Sequence, residues 1–314
     1  MSHHEALDEA SASARMSQVL RELAETQTLV EEGWDDPRFW NSEAPRTARC
    51  QYLAVGNAIN FRFWRLEDGV VVPSSGRIDG EEFRGAMYMW RRLRVALLRG
   101  EFSLDASDLA RVDESTFRHA FRDEVGRYPL DVAIDERVGN LRDLGQRLGH
   151  EWDGHFDRVL DASEGRLDTF TTLSQTFRAY DDPVQKLTML NAIMLQGSGL
   201  VSFDRSPLPA IDYHLVKQAV RQGLVRPESE TMRKLCAREF LTREESSALR
   251  LDVLDALVHV ADRAGISTAV LDNLYWLNRR VCADAQPDCG GCAFEPGCAQ
   301  LVQVGLPLEN TRYY

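Results

Sequence analysis

Four of the six cysteines lie within residues 282–298, and this cluster constrains the fold more than any other feature of the sequence. They follow the pattern C-x6-C-x2-C-x5-C, and the glycines and the proline between them bend the chain. A disulfide framework is disfavoured in a reducing cytosol, whereas four thiolates at this spacing can converge on one metal centre. The candidate ligands are Cys282, Cys289, Cys292 and Cys298.

The spacing of these cysteines also discriminates between metals. Zinc ribbons usually carry two C-x2-C pairs separated by a longer loop, and this segment has one such pair. We therefore predict a [4Fe-4S] cluster with a structural role, with a zinc site and free thiols as the alternatives. Cys50 and Cys236 stand alone in the sequence and are interpreted as small core residues.

The charge balance bears on the kind of partner. The 314 residues contain 37 Lys and Arg against 49 Asp and Glu, a net charge of −12. Duplex-binding proteins usually present a basic face to phosphate groups, so a small-molecule substrate is favoured over duplex DNA. No run approaches the roughly 20 apolar residues that cross a bilayer, and the N-terminus lacks the apolar stretch of a signal peptide. We therefore expect a cytoplasmic protein without a membrane partner, and no pattern indicates an oligomeric state.

Helical periodicity recurs along almost the whole chain, so the predicted fold class is all-α. Asp113 and Thr242 have the sequence context of helix N-caps. The stretch 67–80, rich in Gly, Pro and Ser, is the one good candidate for a strand hairpin. The predicted helices cover residues 6–32, 51–64, 83–99, 105–109, 113–124, 134–148, 156–162, 167–177, 184–195, 213–222, 229–237, 244–264 and 267–280.

The cysteine spacing resembles the iron-sulfur loop of the endonuclease III branch of the helix-hairpin-helix DNA glycosylase superfamily. Residues 273–282, NLYWLNRRVC, also resemble the short helix that leads into that loop. The resemblance implies a two-lobed helical fold, similar to that of the DNA glycosylases, whose active site lies in the cleft between the lobes.

A second resemblance spans roughly residues 50–222. It concerns the queuosine salvage family, helical relatives of the DNA glycosylases that cleave the N-glycosidic bond of queuosine 5′-monophosphate. The similar segments, in the same order in the chain, are NAINFRFW (57–64), FRGA (83–86), LLRGE (97–101), FRHAFRD (117–123), IDER (134–137), QK (185–186) and FD (203–204).

The two resemblances meet at Asp212. The segment LPAIDYHL (208–215) resembles the Asp-Tyr-Arg segment of queuosine salvage proteins and the Val-Asp-Thr-His segment of iron-sulfur DNA glycosylases. In both families that Asp is catalytic. N-glycosidic cleavage passes through an oxocarbenium-like sugar, and a carboxylate against C1′ either attacks the sugar or stabilises its charge. An ordinary helix N-cap is the alternative interpretation of Asp212.

Other candidate residues are aromatic or polar. Phe61 and Trp64 suit stacking on a flat heterocycle, and Asn60 suits the reading of a base edge; core packing and turn capping are the alternatives. Lys186 is interpreted as a surface or phosphate-pairing residue, with a Schiff-base lyase role as the alternative. The predicted substrate-binding set is Asn60, Phe61, Trp64, Asp204, Tyr213, His214 and Lys186.

The sequence departs from both families at several positions, and these departures argue against duplex DNA as the substrate. Segment 181–188, the nearest match to the hairpin of the DNA glycosylases, lacks the glycines that let backbone N–H groups approach a DNA phosphate. The first cysteine loop, ADAQPD, carries two acids and no base, which would repel a phosphate backbone. His214 stands where the salvage proteins have Arg. Arg279 and Arg280 are interpreted as a solvated helix face.

The predicted function is therefore an N-glycosidase that hydrolyses a queuosine-type, 7-deazaguanine nucleoside 5′-monophosphate and releases the free base. The alternative is an iron-sulfur base-excision DNA glycosylase that flips a damaged base out of the duplex. A non-enzymatic iron-sulfur protein is the third hypothesis. The predicted organisation is a segment 1–100 that packs with a C-terminal lobe 225–281, a central lobe 101–224, and the iron-sulfur loop 282–298.

Overall fold

The computed structural model describes residues 9–313, and over this part the chain is predominantly helical, as predicted. None of the described helices is long and apolar enough to span a membrane. The elements in chain order are α1 (Glu9–Thr26), α2 (Arg46–Ala58), β1 (Trp64–Glu67), β2 (Val70–Pro73), β3 (Ser75–Ile78), β4 (Glu81–Arg84), α3 (Gly85–Leu98), α4 (Ala106–Leu109), α5 (Glu114–Phe121), α6 (Ile134–Glu151), α7 (Phe156–Ala162), α8 (Leu167–Ser174), α9 (Lys186–Gly197), α10 (Tyr213–Arg221), α11 (Ser229–Ala237), α12 (Arg243–Ala264) and α13 (Thr268–Asn278).

The described residues divide into two compact units. The first contains residues 9–32 and Ser206–Thr311, and the second contains Gly33–Arg205 with residues 312–313. These boundaries differ from the predicted ones at 100 and 224. The reason is that α2 and α3 pack against helices of the middle of the chain, whereas α1 packs against α12.

The first unit is built around α12, the longest helix in the described chain. Helix α1 packs along α12, and α10 contacts both α12 and α13. Val253, Leu257 and Val260 of α12 are fully buried, as are Met16 and Leu20 of α1. This apolar contact anchors the helices that carry the C-terminal part of the chain.

Helix α2 forms the centre of the second unit, where it packs against α6, α7 and α9. Its backbone accepts hydrogen bonds from buried side chains: the Tyr180 hydroxyl donates to the Ala54 carbonyl at 2.6 Å, and the Asn140 amide donates to the Ala58 carbonyl at 2.9 Å. Cys50 of α2 is fully buried, which confirms its predicted core position. Cys236 is exposed, so the same prediction is wrong for that residue.

Helix α2 ends at Ala58, before the end that the apolar run had predicted at Trp64. The chain leaves the helical conformation, with Arg62 at a φ of 43°, and enters a strand at Trp64. The predicted hairpin over 67–80 is in fact two antiparallel hairpins, β1–β2 and β3–β4. Each turns at an Asp-Gly pair with positive φ at both residues, the conformation that such pairs favour.

The predicted N-caps are confirmed. Asp113 accepts a hydrogen bond from the Thr116 N–H at 2.7 Å, and Thr242 forms a reciprocal capping box with Glu245. The helix predicted over 6–32 is observed as Glu9–Thr26, and residues 6–8 lie outside the described residues.

Gly145 allows α6 to cross α4 closely. A Cβ at this position would lie 2.5 Å from the carbonyl oxygen of Ala106 and would also meet the backbone nitrogen of Ala110. Because backbone atoms cannot rotate away, Gly145→Ala is expected to lower the free energy of unfolding by about 1–3 kcal/mol. Chemical denaturation measures this loss.

Gly149 provides the matched control, because it lies one turn further along α6 with open space where its Cβ would be. Gly149→Ala is expected to be neutral, or to stabilise by up to about 1 kcal/mol through helix propensity. Equal stability of the two variants would contradict the close crossing of α4 and α6.

Candidate functional site

Asp212 is the N-cap of α10. Its Oδ1 accepts hydrogen bonds from the backbone N–H groups of His214 at 2.8 Å and Leu215 at 3.0 Å. Asp212 is therefore a helix N-cap, as the alternative interpretation had it. Both bonds end on Oδ1, and Oδ2 accepts no hydrogen bond from a described residue. The N-terminal end of a helix favours an ionised carboxylate. Asp212 thus combines a fixed oxygen with one that can face a developing positive charge.

The backbone before Asp212 is also fixed. The Ala210 N–H donates to Oδ1 of Asp272 on α13 at 2.8 Å, and Nε of Arg250 on α12 donates to the Ile211 carbonyl at 3.2 Å. Two helices therefore hold the residues on the N-terminal side of Asp212, while α10 holds its carboxylate. Such preorganisation is what an electrostatic catalyst requires.

His214 is a neutral group at the start of α10. Its ring centroid lies 4.5 Å from that of Tyr213, and its buried Nδ1 has no hydrogen-bond partner within residues 9–313. Burial lowers the pKa of His214 to about 4, and the opposing effect of the Asp212 carboxylate is smaller. The His214 ring is therefore uncharged at neutral pH.

Arg279 differs from its predicted position on a solvated face. Its guanidinium carbon lies 3.5 Å from the centroid of the Trp276 ring, and the side chain is partly buried, whereas Arg280 is exposed as predicted. Burial lowers the pKa of Arg279 to about 10, while the charges of Asp212 and Tyr213 act in the opposite direction.

The far end of α10 carries Arg221, whose guanidinium is almost completely buried. Earlier on the same helix, Nζ of the buried Lys217 donates to the Cys282 carbonyl at 2.7 Å. These two cations tie α10 to the segment that contains the cysteines. The acceptors of Arg221, at 2.7–3.4 Å, are the carbonyl oxygens of Ala283, Asp284, Val302 and Val304 and the Sγ of Cys282.

The four predicted ligand cysteines line one cavity. N–H donors point at two of the sulfurs: Arg221 donates to Cys282 Sγ at 3.4 Å, and the Gln300 N–H donates to Cys298 Sγ at 3.3 Å. Burial raises the pKa of Cys298 to about 11 and also raises that of Cys292. Burial thus favours the neutral thiol form of these two cysteines.

The spacing of the donor side chains bears on which metal group fits. Within residues 9–313, no three His, Cys, Asp or Glu side chains lie close enough together to hold a single metal ion. A zinc ion needs its sulfurs within about 4 Å of one another, because each Zn–S bond is about 2.3 Å. A cluster of four irons is larger and holds its cysteine sulfurs farther apart. The four cysteines therefore share a cavity without forming a site for a single ion among the described residues.

The two acids of the first cysteine loop have structural partners. Asp284 pairs with Arg238, and its Oδ1 also accepts a hydrogen bond from the Leu306 N–H at 2.9 Å. Asp288 accepts a bond from the Gly291 N–H at 3.1 Å. The two acids therefore also bond to neighbouring groups of the chain, in addition to carrying negative charge.

The predicted substrate-binding residues are divided between the two units. Tyr213 and His214 belong to the first unit with Asp212, whereas the remaining five belong to the second. Of these, Phe61 and Trp64 are 1% and 3% exposed, respectively. The Arg137 guanidinium lies 4.4 Å from the Phe61 ring centroid and donates to the Phe61 carbonyl at 2.5 Å. In the structure these two rings thus have the packing role that the sequence left as an alternative.

Asn60 and Lys186 come together in the second unit. Nζ of Lys186 donates to the Asn60 carbonyl at 2.7 Å, and the Asn60 amide donates to the Asn57 side chain at 3.2 Å. Lys186 is buried, which differs from the surface position expected for it. Asp204 is exposed and accepts a bond from the Leu167 N–H at 3.0 Å, which caps the start of α8.

Residues 40–189 match the family model of the queuosine salvage protein. The matched span covers just under half of the chain and lies entirely in the second unit. This match covers most of the stretch in which the sequence segments resemble that family. The span ends before Asp212 and the cysteine loop. No curated protein matches the chain.

Sequence reasoning missed the buried Lys217 and Arg221 of α10, and it placed Arg279 on a solvated face. Charged side chains are rarely buried, so a Lys and an Arg four residues apart on a helix resemble a solvated face. The signal that could have identified Lys217 and Arg221 as buried was their position on the helix that begins at Asp212. The packed side of that helix is otherwise strongly apolar.

The low pKa of His214 predicts a pH dependence of stability. The unfolded chain binds a proton at about pH 6.5 and the folded chain at about pH 4, so acidification favours the unfolded state over this range. The stabilising contribution is complete above pH 6.5 and falls as the pH drops towards 4. Between pH 7 and 5, wild type should lose about 2 kcal/mol more of its unfolding free energy than His214→Gln.

His259 on α12 provides the control, because its ring is exposed and lies in the same unit. Urea denaturation at several pH values compares the three proteins, and His259→Gln should retain the wild-type slope. A His214→Gln protein with the same pH dependence as wild type would show that His214 is not held neutral by burial.

Proposed function

We propose that this chain hydrolyses the N-glycosidic bond of a queuosine-type nucleoside 5′-monophosphate and releases the 7-deazaguanine base. The observation that carries the proposal is the match of residues 40–189 to the queuosine salvage family. The net charge of −12 supports a mononucleotide over a polyanionic duplex, because duplex binding draws much of its affinity from basic contacts to phosphate.

The proposed catalytic group is Asp212. As the bond from C1′ to the base nitrogen breaks, its electron pair leaves with the base and positive charge develops on the sugar. The ionised carboxylate stabilises this charge or attacks C1′, and water supplies the hydroxyl that ends on C1′ and the proton that ends on the base. Support comes from the N-cap geometry, in which two N–H groups hold Oδ1 while Oδ2 accepts no bond within the described chain.

Two neighbours support this role for Asp212. Arg279 is close enough to interact electrostatically with the Asp212 carboxylate, and its positive charge suits the phosphate of a nucleotide. The His214 ring is neutral at neutral pH and partly exposed, so it can contact a bound substrate without adding charge. We propose both as residues that position the substrate near Asp212.

We also propose that Cys282, Cys289, Cys292 and Cys298 hold a [4Fe-4S] cluster with a structural role. The support is the spacing of the four cysteines in the sequence, their common cavity, and the N–H groups that donate to two of the sulfurs. When bound, the cluster would supply electrostatic neutralisation and a cross-link of four chain positions, not an open iron for the reaction. The hydrolysis itself would depend on Asp212 and its neighbours.

The catalytic prediction concerns Asp212→Asn. Asparagine keeps the shape and the N-cap hydrogen bond but removes the charge that would stabilise the cationic sugar. Single-turnover release of queuine from queuosine 5′-monophosphate should therefore fall about 100-fold or more. Substrate affinity should change less, because the charge matters most in the transition state.

Asp113→Asn is the matched control, because Asp113 is also a helix N-cap whose side chain accepts a backbone N–H bond. It should release base at the wild-type rate, which separates loss of the cap from loss of the catalytic charge. Wild-type rates for Asp212→Asn would remove Asp212 from the mechanism. Release of base from damaged duplex DNA alone would replace the proposed substrate with that of a DNA glycosylase.

The metal prediction is about four irons per chain and a brown colour after anaerobic purification. Cys292→Ser should lose most of this iron, because it removes one of the four thiolates. Cys236→Ser is the control, since Cys236 is exposed and lies outside the loop, and it should retain the iron. Colourless wild-type protein that holds one zinc ion would contradict the prediction.

A further inference from the structure

A cavity of about 410 Å³ lies in the second unit, beside the β3–β4 hairpin, the C-terminal half of α3 and the loop that follows α5. Its volume falls in the range of about 300–1,000 Å³ that is typical of small-molecule sites. None of the residues predicted for the substrate site lines it, and within the described chain no aromatic ring does. The charged lining residues are Arg77, Asp79, Arg92, Arg99, Glu101, Arg122, Asp123 and Glu124.

Each carboxylate that lines this cavity is paired with an arginine. Guanidinium groups therefore balance the negative charge of the lining, and the Asp123 carboxylate has no exposed surface at all. The pairs are Glu101 with Arg92 at 2.5 Å, Glu124 with Arg77 at 3.2 Å, Asp123 with Arg127 at 2.8 Å, and Asp79 with Arg91 at 2.5 Å. The cavity is thus not an acidic site, although the chain as a whole carries a net charge of −12.

Two arginines of the lining are left as uncommitted cations. Arg122 is exposed, and its side chain forms no hydrogen bond or ion pair with any residue of 9–313. Arg99 is exposed as well, and its guanidinium lies 3.6 Å from Asp79, which is too long for a hydrogen bond. Because both side chains are open to solvent, a ligand can reach their N–H groups without displacing a hydrogen-bond partner. Accessible guanidinium groups in excess of the acids favour an anionic ligand.

The buried Arg92 fixes the positions of these two arginines. Its Nε donates to the Arg122 carbonyl at 2.7 Å, and its Nη2 donates to Glu101 at 2.5 Å. One buried guanidinium therefore holds the backbone of Arg122 and the segment that directly follows Arg99. A ligand that binds both cations would meet a frame that is already in place, which lowers the entropic cost of binding.

We propose that this cavity binds a small sugar phosphate. Arg99 and Arg122 donate to the phosphate, whose terminal oxygens and near-double charge suit two guanidinium groups better than a single carboxylate does. The sugar hydroxyls donate to Glu101 and Glu124, which remain partly exposed and keep acceptor capacity beside their arginines. Because no aromatic ring of the described chain lines the cavity, it offers no stacking surface for a nucleobase. This binding is separate from the hydrolysis proposed for Asp212.

Glucose 6-phosphate, glucose and inorganic phosphate test the proposal by isothermal titration calorimetry on the full chain. Glucose 6-phosphate should bind saturably with one site per chain and about tenfold or more tighter than glucose, because only the phosphate engages the two arginines. It should also bind severalfold tighter than inorganic phosphate, because only the sugar brings hydroxyl donors. Absence of saturable binding, or equal affinity for glucose 6-phosphate and either of the other two ligands, would overturn the proposal.

Two variants locate the site. Arg122→Gln should weaken the binding of glucose 6-phosphate about tenfold or more, because it removes a cation that no acid of the described chain pairs with. Arg99→Gln should weaken it severalfold, a smaller loss because Asp79 already lies near that guanidinium. Arg111→Gln is the charge-matched control, since Arg111 is exposed, belongs to the same unit and does not line the cavity. Unchanged affinity in a folded Arg122→Gln protein, or an equal loss in Arg111→Gln, would overturn the assignment.

Discussion

The buried guanidinium of Arg221 holds the C-terminal part of the first unit together. It donates to four carbonyl oxygens and one cysteine sulfur, which lie in the first cysteine loop and in residues 302–304. An arginine in the protein interior is costly unless its donors are satisfied, so this site requires the loop to be in place. The same helix begins at Asp212, and therefore the fixed position of the cysteine loop also fixes the helix that presents the candidate catalytic carboxylate.

Because the cysteine loop and α10 are held together in this way, the proposed cluster would have a structural role and would not take part in the reaction. The chain from Ala283 to Val304 contains little regular structure, so it cannot stabilise itself through helix or sheet hydrogen bonds. Arg221, Lys217 and four converging thiolates would supply the missing cross-links. Asp212 is held from the other side by contacts to α12 and α13. In the proposed mechanism, both supports would reduce the reorganisation that accompanies charge stabilisation at C1′.

The sequence predicts the helices well where the pattern is local. Apolar periodicity and side-chain caps place α5 and α12 within a few residues, because both signals act within one or two turns. The end of α2 is missed because an apolar run alone does not distinguish a buried helix from a buried loop and strand. The second hairpin is missed although an Asp-Gly pair at residues 79–80 marks its turn.

The candidate site is less predictable, because its groups meet through tertiary contacts. The sequence segment around Asp212 is enough to make it a candidate. The ionisable groups near it, His214 and Arg279, come from α10 and the end of α13. Burial, which the sequence does not show, lowers the pKa values of these two groups. Residues as distant in sequence as Trp34 and Ser198 also line one pocket of the second unit. No spacing rule brings such residues together.

A crystal structure of Asp212→Asn with queuosine 5′-monophosphate would test the central claim most directly, because the variant should bind the intact nucleotide without cleaving it. We expect the sugar C1′ in van der Waals contact with the side chain at position 212 and the phosphate close to Arg279 or His214. A nucleotide bound elsewhere, with its C1′ remote from residue 212, would contradict the assignment of Asp212 as the catalytic carboxylate.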